Sequence, residues 1–351
     1  MIEPKASVKG LYRYPILQEG RYDKLRLDKN EQTIGFPPEV LSEILSGITP
    51  EFLAAYPEPY SLHQKIANQH KVDLDAVVVT AGSEMAIRYL FEAFLTPDDE
   101  IVILNPSFAM FDVYARIIGA KIQTLDYDEH FHISVESIIQ RITAATKIIA
   151  IANPNNPTGT VFSQKDLEKI LDAAEKNQAI VLVDEAYYYF CRETILPRCL
   201  EFPNLVVTRT FSKACGMAGV RLGYAVGAPA IISHVKKLQP IDHVSNFAVK
   251  IGEYILDHEE LMWNYAAEVE KGKAFLLSEL SQMDFRCQGG HANFVLSDFG
   301  KRQDELVRKL HDRGILISAS LRFPFPSGYV RITAGPVHQM ERFITELKEL
   351  V

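Results

Sequence analysis

The sequence predicts an α/β protein: a central, mostly parallel sheet with helices on both faces, joined to a smaller α+β domain. Three observations carry that expectation. From about Val77 onward, short apolar runs alternate with helical stretches. The runs are β-branched and apolar at successive positions, as strands covered on both faces must be. The C-terminal third changes character, with a long helical stretch ahead of its strands.

The predicted strands of the sheet are 77–80, 101–104, 148–152, 180–183 and 205–208, with helices between them such as 84–95 and 164–176. Beyond them the pattern predicts a helical region over 247–283 and strands near 294–296 and 329–333. Helices over 304–313 and 338–350 complete the second module. The Pro-interrupted first residues pack against it. Residues 48–240 therefore read as a large domain, with 1–47 and 241–351 forming a small domain from both chain ends.

Bulk properties limit the function classes. A chain of 351 residues, 47% hydrophobic, can bury a large core. Its net charge of -8 (37 basic minus 45 acidic side chains) and the lack of a basic run give no footprint for nucleic acid. Cys191, Cys199, Cys215 and Cys287 form no CxxC pair, which suits a reducing cytoplasm. The first residues carry no apolar core of a signal peptide, and no stretch reaches the ~18 apolar residues of a membrane span. The expectation is a cytoplasmic globular protein with no membrane partner.

In an open parallel sheet, ligands bind beyond the carboxyl ends of the strands. The residues just past each predicted strand therefore outline a site. After 77–80 come Gly82 and Ser83 at a helix start, where a glycine permits close approach and free N–H groups attract a phosphate. After 101–104 comes Phe108, an aromatic face for a flat ring. After 148–152 the run from Asn153 to Gly159 holds Asn156 in a loop stiffened by two prolines. After 180–183 come Asp184 and, three residues on, Tyr187. A carboxylate ending an apolar strand is buried, and a buried charge needs a cation beside it.

After 205–208 come Thr210, Ser212 and Lys213, with Arg221 eight residues later. An amine flanked by hydroxyls and followed by a guanidinium suits a Schiff base with a cofactor aldehyde whose phosphate the neighbours hold. Each feature alone is an ordinary turn, cap or core residue. Their order along five strand ends is not ordinary.

Other signals fail. Gly216, Gly219 and Gly223 do not make GxGxxG, so a dinucleotide fold is unsupported. His130 and His132 alternate across a possible strand without a third ligand, and His258-Glu259-Glu260 lacks a second histidine; no metal is expected.

Nearly the whole chain resembles the class I/II aminotransferases, fold-type-I enzymes that use pyridoxal 5'-phosphate. It is most similar within them to the histidinol-phosphate aminotransferase branch, which includes threonine-phosphate decarboxylase. The residues carrying this are 27–31 (Leu-Asp-Lys-Asn-Glu), 56–59 (Tyr-Pro-Glu-Pro), 153–159, Ser212-Lys213, Ala292-Asn293-Phe294 and Val330-Arg331-Ile332-Thr333. The resemblance implies Lys213, Asp184 and Tyr187 as the catalytic group. Lys213 forms the Schiff base and moves the substrate proton, and Asp184 bonds the ring nitrogen. It implies that Asn156 and Tyr187 bond the ring's phenolic oxygen and that Phe108 stacks on the ring. Gly82, Ser83, Thr210, Ser212 and Arg221 gather the phosphate. Tyr56 reaches the phosphate of a neighbouring subunit, so a homodimer with shared sites is implied. Arg331 grips the substrate carboxylate, and Asn30 lies on the substrate side.

Two departures bear on the substrate. The branch's Asn-Glu-Asn-Pro reads Asn30-Glu31-Gln32-Thr33 here. Where histidinol-phosphate enzymes carry a phosphate-binding arginine, this chain has Ser318, with Arg322 in a nearby turn as the candidate substitute. These departures point away from histidinol phosphate, towards another amino acid or an amine-bearing biosynthetic intermediate as donor to a keto acid. The implied activity is amino transfer. The alternatives are α-decarboxylation of a (phospho)amino acid on the same scaffold, and an inert regulatory protein of this fold. The intact set of Lys213, Asp184 and Arg221 argues against the last.

Overall fold

The computed structural model of the chain describes residues 2–11, 20–319 and 328–351. Its strands are β1 (Leu25–Leu27), β2 (Val77–Thr80), β3 (Glu100–Asn105), β4 (Lys121–Asp126), β5 (Thr146–Ala152) and β6 (Ile180–Asp184). They continue with β7 (Leu205–Thr210), β8 (Gly223–Gly227), β9 (Arg286–Gly289), β10 (Phe294–Asp298), β11 (Ile315–Ile317) and β12 (Tyr329–Thr333).

Seven of them form one sheet in the order β2-β8-β7-β6-β5-β3-β4. All neighbours are parallel except β8, which runs antiparallel to β2 and β7. Alternating side chains of each inner strand feed two different cores, one per face. Val77, Val79, Ile149, Ile151, Val181, Val183 and Val207 enter one cluster. Val78, Ile148, Ala150, Ile180, Leu182 and Val206 enter the other. That two-sided burial is why the run 180–183 contains no polar residue.

A second body is built from the chain ends. β1 pairs in parallel with β11, and β12, β10 and β9 make an antiparallel sheet. Leu25 and Leu27 share a core with Ile315, Ile317, Val330, Ile332 and the buried face of the helix Glu260–Gln282. Segments from opposite ends of the chain are thereby brought beside each other.

The five predicted strands of the large sheet are all present, and the helix Gln164–Lys176 has its predicted ends, with Ser163 accepting from the Asp166 N–H as N-cap. The stretch 247–283 is not continuous. It is two helices, Asn246–Asp257 and Glu260–Gln282, broken at His258. His130 and His132 do not lie on a strand: their N–H groups both donate to Asp128 Oδ1 in a turn. Among the described residues no cluster of His, Cys, Asp and Glu is arranged to hold a metal, and no helix is long and apolar enough to cross a membrane.

Glycine decides one packing contact outright. A Cβ on Gly272, in the middle of the helix Glu260–Gln282, would stand 1.8 Å from the Gly335 carbonyl oxygen. Gly272→Ala raises helix propensity by about 1 kcal/mol, yet it forces the helix off the loop after β12. The expected result is net destabilisation by roughly 1–3 kcal/mol, read as a lowered melting temperature in thermal unfolding. An unchanged or higher value would disprove the contact.

Candidate active site

Asp184 ends β6 at the centre of the large sheet, with only 5% of its surface exposed. Its main chain is fixed from both sides: the Asn153 N–H donates to the Asp184 carbonyl, and the Glu185 N–H donates to Thr208 O, both at 2.9 Å. Its side chain accepts a 2.8 Å hydrogen bond from Thr208 Oγ1, the residue opposite it on β7. Burial pushes the carboxyl up to about 6; the Thr208 hydroxyl and the Lys213 charge oppose this and the nearby Glu185 charge adds to it.

Lys213 lies three residues past β7 and is half-buried. Nζ donates to Lys29 O at 2.9 Å and stands 5.8 Å from the centre of the Tyr187 ring. Burial, together with the Arg331 charge, lowers the amine to about 8 against the opposing pull of Glu31 and Asp184. A carboxylate too high and an amine too low, held in one place by a shared sheet, are the pattern expected of a working site.

The hydroxyl and guanidinium residues gather at a second corner. Gly82 caps the helix Ser83–Phe94 with φ 84°, a conformation suited to glycine. A Cβ there would stand 2.7 Å from Arg221 Nη2, so the absent side chain admits the guanidinium to the helix start. Arg221 Nη1 donates to Ser212 Oγ at 3.1 Å, and the Ser212 N–H donates to Thr210 Oγ1 at 3.1 Å. Arg221 is itself held at φ 60°, uncommon for a side-chain-bearing residue and frequent at functional positions. Gly223 makes the corner possible, since a Cβ on it would stand 2.2 Å from the Ser83 nitrogen. Helix N–H groups, hydroxyls and a guanidinium at one point are donors that could hold a phosphate.

The remaining predicted residues are spread more widely. Tyr187 is buried; its hydroxyl accepts from Asn30 Nδ2 at 2.9 Å, and its ring meets Phe294 edge-on. The Asn30 amide is taken up by Tyr187 and Thr333, and its main chain by Thr333 and Asn293. Arg331, half-buried, donates to Asn156 Oδ1 at 2.6 Å and to Asp28 O at 2.7 Å, while its buried Nε has no hydrogen-bond partner among the described residues. Phe108 opens the helix Ala109–Ile118, half-buried and edge-on to Phe111. Tyr56 is 80% exposed, on the segment between the helices Pro50–Ala54 and Tyr60–His70. Ser318 is bridged to Arg331 by two main-chain bonds of 3.1 and 2.8 Å. Arg322 lies outside the described residues.

Sequence reasoning missed Thr208, the direct partner of Asp184. A signal existed: Thr208 lies two residues before Thr210 and so on the same face of its strand. It gave no role to Thr333 and Asn293, quoted only as carriers of the resemblance, which position Asn30 from the second body. Nothing local in the sequence ties those positions together.

Similarity to known proteins places the chain in one family. The family model "Aminotransferase class I and II" matches residues 22–347. A histidinol-phosphate aminotransferase of Clostridium novyi is 33% identical over 338 residues, covering 95% of this chain and 94% of that protein. Another, from Symbiobacterium thermophilum, is 31% identical over 94% of this chain and 91% of its own length. Among solved structures, a histidinol-phosphate aminotransferase of Sinorhizobium meliloti in complex with pyridoxal-5'-phosphate superposes with a TM-score of 0.86 at 21% identity, covering 100% of this chain and 99% of that one.

The raised Asp184 carboxyl makes a prediction about the ligand-free chain. Its folded value, about 6, lies above the ordinary 3.8, so the folded form binds the proton more tightly than the unfolded form. Stability contributed by this group is therefore present at low pH and lost as pH rises from about 4 to about 6. Asp184→Asn removes that loss while keeping an acceptor for Thr208. The variant is expected to gain up to roughly 3 kcal/mol over the parent at pH 7 and nothing at pH 4, measured by denaturant unfolding at both pH values. A variant no more stable than the parent at pH 7 would show that the carboxylate bears no burial penalty.

Proposed function

The chain belongs to the class I and II aminotransferases, and from that membership we propose how its residues divide the work of amino transfer. It is an enzyme of the pyridoxal-5'-phosphate-dependent, fold-type-I kind. One observation carries the assignment of roles: a buried carboxylate whose side-chain partner among the described residues is one hydroxyl, within electrostatic reach of an amine of lowered pKa. The residues present fit the cofactor, because among the described residues Asp184 has no ion-pair partner within salt-bridge distance and the Gly82 corner is shaped for an anion. When bound, pyridoxal 5'-phosphate supplies an aldehyde for covalent attachment and a protonated ring that withdraws electrons.

Asp184 would hold the proton on the ring nitrogen, and Lys213 Nζ would carry the covalent link. Lys213 also takes and returns the proton at the substrate Cα. An amine titrating near 8 suits that task, since a useful fraction is an unprotonated base at physiological pH. Asn156 and Tyr187 hold the ring's phenolic oxygen, and Phe108 covers a ring face. Gly82, Ser83, Thr210, Ser212 and Arg221 take the phosphate. Arg331 takes the substrate carboxylate through a planar fork of donors, including the Nε that has no partner among the described residues. Asn30 fixes the Tyr187 hydroxyl on the substrate side.

The donor is an amino acid or an amine-bearing intermediate and the acceptor a keto acid. Histidinol phosphate, named in the relatives, is one member of the panel to be tried. The single experiment is to mix the cofactor-loaded protein with a panel of amino donors without acceptor and measure the visible spectrum over time. Conversion to the aminated cofactor identifies the donor; carbon dioxide release with the spectrum restored would replace amino transfer by decarboxylation. Lys213→Ala is expected to lower turnover at least ~1,000-fold. Arg331→Ala is expected to raise KM for carboxylate-bearing substrates about 100-fold, a loss of about 3 kcal/mol, with Arg331→Lys failing to restore it. Unchanged kinetics in the Arg331 variants would remove that residue from the site.

The protein is proposed to act as a homodimer with shared sites and to reside in the cytoplasm. The helices Pro38–Leu45, Pro50–Ala54, Tyr60–His70 and Asn246–Asp257 and the segment between the second and third leave Leu41, Leu45, Leu53, Tyr56, Tyr60 and Phe247 exposed. They are tied into one surface through Asn246–Asp257: by the Phe52–Phe247 ring contact and Asn246 Nδ2 donating to Phe52 O and Ala55 O, by Tyr254 donating to Glu43, and by Ser61 donating to Glu253. An apolar face of that extent on a folded chain is expected to be covered. Leu53→Glu should shift the mass measured by light scattering from dimer to monomer. A monomeric parent protein would overturn the shared site, and with it the role of Tyr56.

A further inference from the structure

We infer that the buried Arg209–Glu185 ion pair, on the face of the sheet opposite the cofactor residues, is a positioning element that sets Asp184, Tyr187 and Thr210 in place. The inference rests on the proposed cofactor roles of those three residues.

The placement arises from strand geometry. Side chains alternate across a strand, so Glu185 and Arg209 face away from Asp184, Thr208 and Thr210. Each of the three site residues is bonded in the chain to a member of the buried cluster. Asp184 precedes Glu185, Tyr187 precedes Tyr188, and Thr210 comes directly after Arg209. Arg209 donates from Nε at 3.1 Å and from Nη2 at 2.8 Å to Glu185 Oε2. Nη2 also donates to Thr194 Oγ1 at 2.8 Å, and that hydroxyl lies 2.9 and 2.7 Å from the two Glu185 oxygens. The Ile195 N–H donates to Glu185 Oε1 at 2.8 Å. The Arg209 guanidinium lies 3.6 Å from the centre of the Tyr188 ring. On its other side Arg209 stands opposite Tyr224 of β8, whose hydroxyl bonds the His70 ring at 2.8 Å. The neutral state of that histidine is fixed by burial first and the Arg209 charge second, which together lower it to about 3.

The cluster therefore ties β6, β7, β8 and the segment after Tyr187 to one guanidinium. Stability alone does not account for it. A buried ion pair is on average no more stabilising than apolar side chains of the same volume, and the rest of this sheet is packed with such side chains. What the pair adds is a fixed geometry: a planar fork and a carboxylate accept one another in few orientations. Asp184 and Lys213 leave the ends of the two strands that the pair joins.

The test compares Tyr188→Phe, Tyr188→Leu, Glu185→Gln and Arg209→Lys, with Asp184→Asn and Lys213→Ala as benchmarks. Three quantities are read: melting temperature of the cofactor-free protein, dissociation constant for pyridoxal 5'-phosphate by absorbance titration, and visible circular dichroism of the bound cofactor. Tyr188→Phe keeps the stacked ring and is expected to match the parent in all three. Tyr188→Leu, Glu185→Gln and Arg209→Lys are expected to weaken cofactor binding about tenfold or more and to alter the dichroic band. Parent-like binding and dichroism in Tyr188→Leu and in whichever charged-pair variants fold, with only the melting temperature lowered, would make the cluster merely structural and overturn the inference. Parent-like binding in Asp184→Asn and Lys213→Ala would instead overturn the proposed cofactor roles.

Discussion

The structure is organised around the cost of placing a carboxylate at the end of a buried strand. Asp184 stands where β5, β6 and β7 meet, held by main-chain bonds from both neighbours and by one hydroxyl. A fold selected for stability alone would end that strand on an apolar or amide side chain. Instead the carboxylate is kept, and an amine past the next strand end comes within electrostatic reach of it. Each lowers the other's penalty only in part, as the raised carboxyl and lowered amine record. In the role proposed for Asp184, a cationic ring nitrogen would complete the arrangement and supply what the apolar strand withholds.

The second body reaches this centre through main chain as much as through side chains. Lys213 donates to Lys29 O, Arg331 to Asp28 O, and Asn293 to Asn30 O. The segment 28–30 is thus a strip of acceptors laid across the site, anchored by β1 pairing with β11. Two glycines bring the bodies together again. A Cβ on Gly290 would stand 2.4 Å from the Gly159 Cα, and the His291 N–H donates to Gly159 O at 2.7 Å. The loop that carries Asn156 is thereby fixed to the chain entering β10, and Asn156 in turn accepts from Arg331. The residues proposed for substrate grip and for cofactor contact thus share one hydrogen-bonded path.

Burial decided which elements were legible in the sequence. β2, β3, β5, β6 and β7 are apolar on both faces and could be read directly, and their ends named the site in order. β4 escaped because it is an edge strand whose side chains are all exposed or half-buried and which has no apolar run. β8 escaped because glycine bounds it at both ends. β1 and β11 are three residues each, too short for a pattern, and have meaning only as a pair. Arg331 and Asn30 were legible through family resemblance, since nothing near them in sequence implies their distant partners. Arg209 and Glu185 were overlooked between more conspicuous neighbours: their pairing depends on β6 lying next to β7, which no single strand reveals.

That dependence on strand order also explains the phosphate corner. β2 is first in the chain among the strands of the large sheet, yet it does not touch β7, whose residues it must join. The antiparallel β8 lies between them, and its first residue is Gly223, paired with Thr80 on one side and Thr210 on the other. Any side chain at that position would fill the space between the Ser83 nitrogen and the Arg209 carbonyl, 2.2 and 2.9 Å from its Cβ. Glycine leaves the helix start and the end of β7 as near neighbours across a bare strand. Arg221, two residues earlier, then lies against Gly82 on one side and Ser212 on the other. The glycine that failed to fit a dinucleotide motif thus keeps clear the space in which two distant strand ends meet at the proposed phosphate corner.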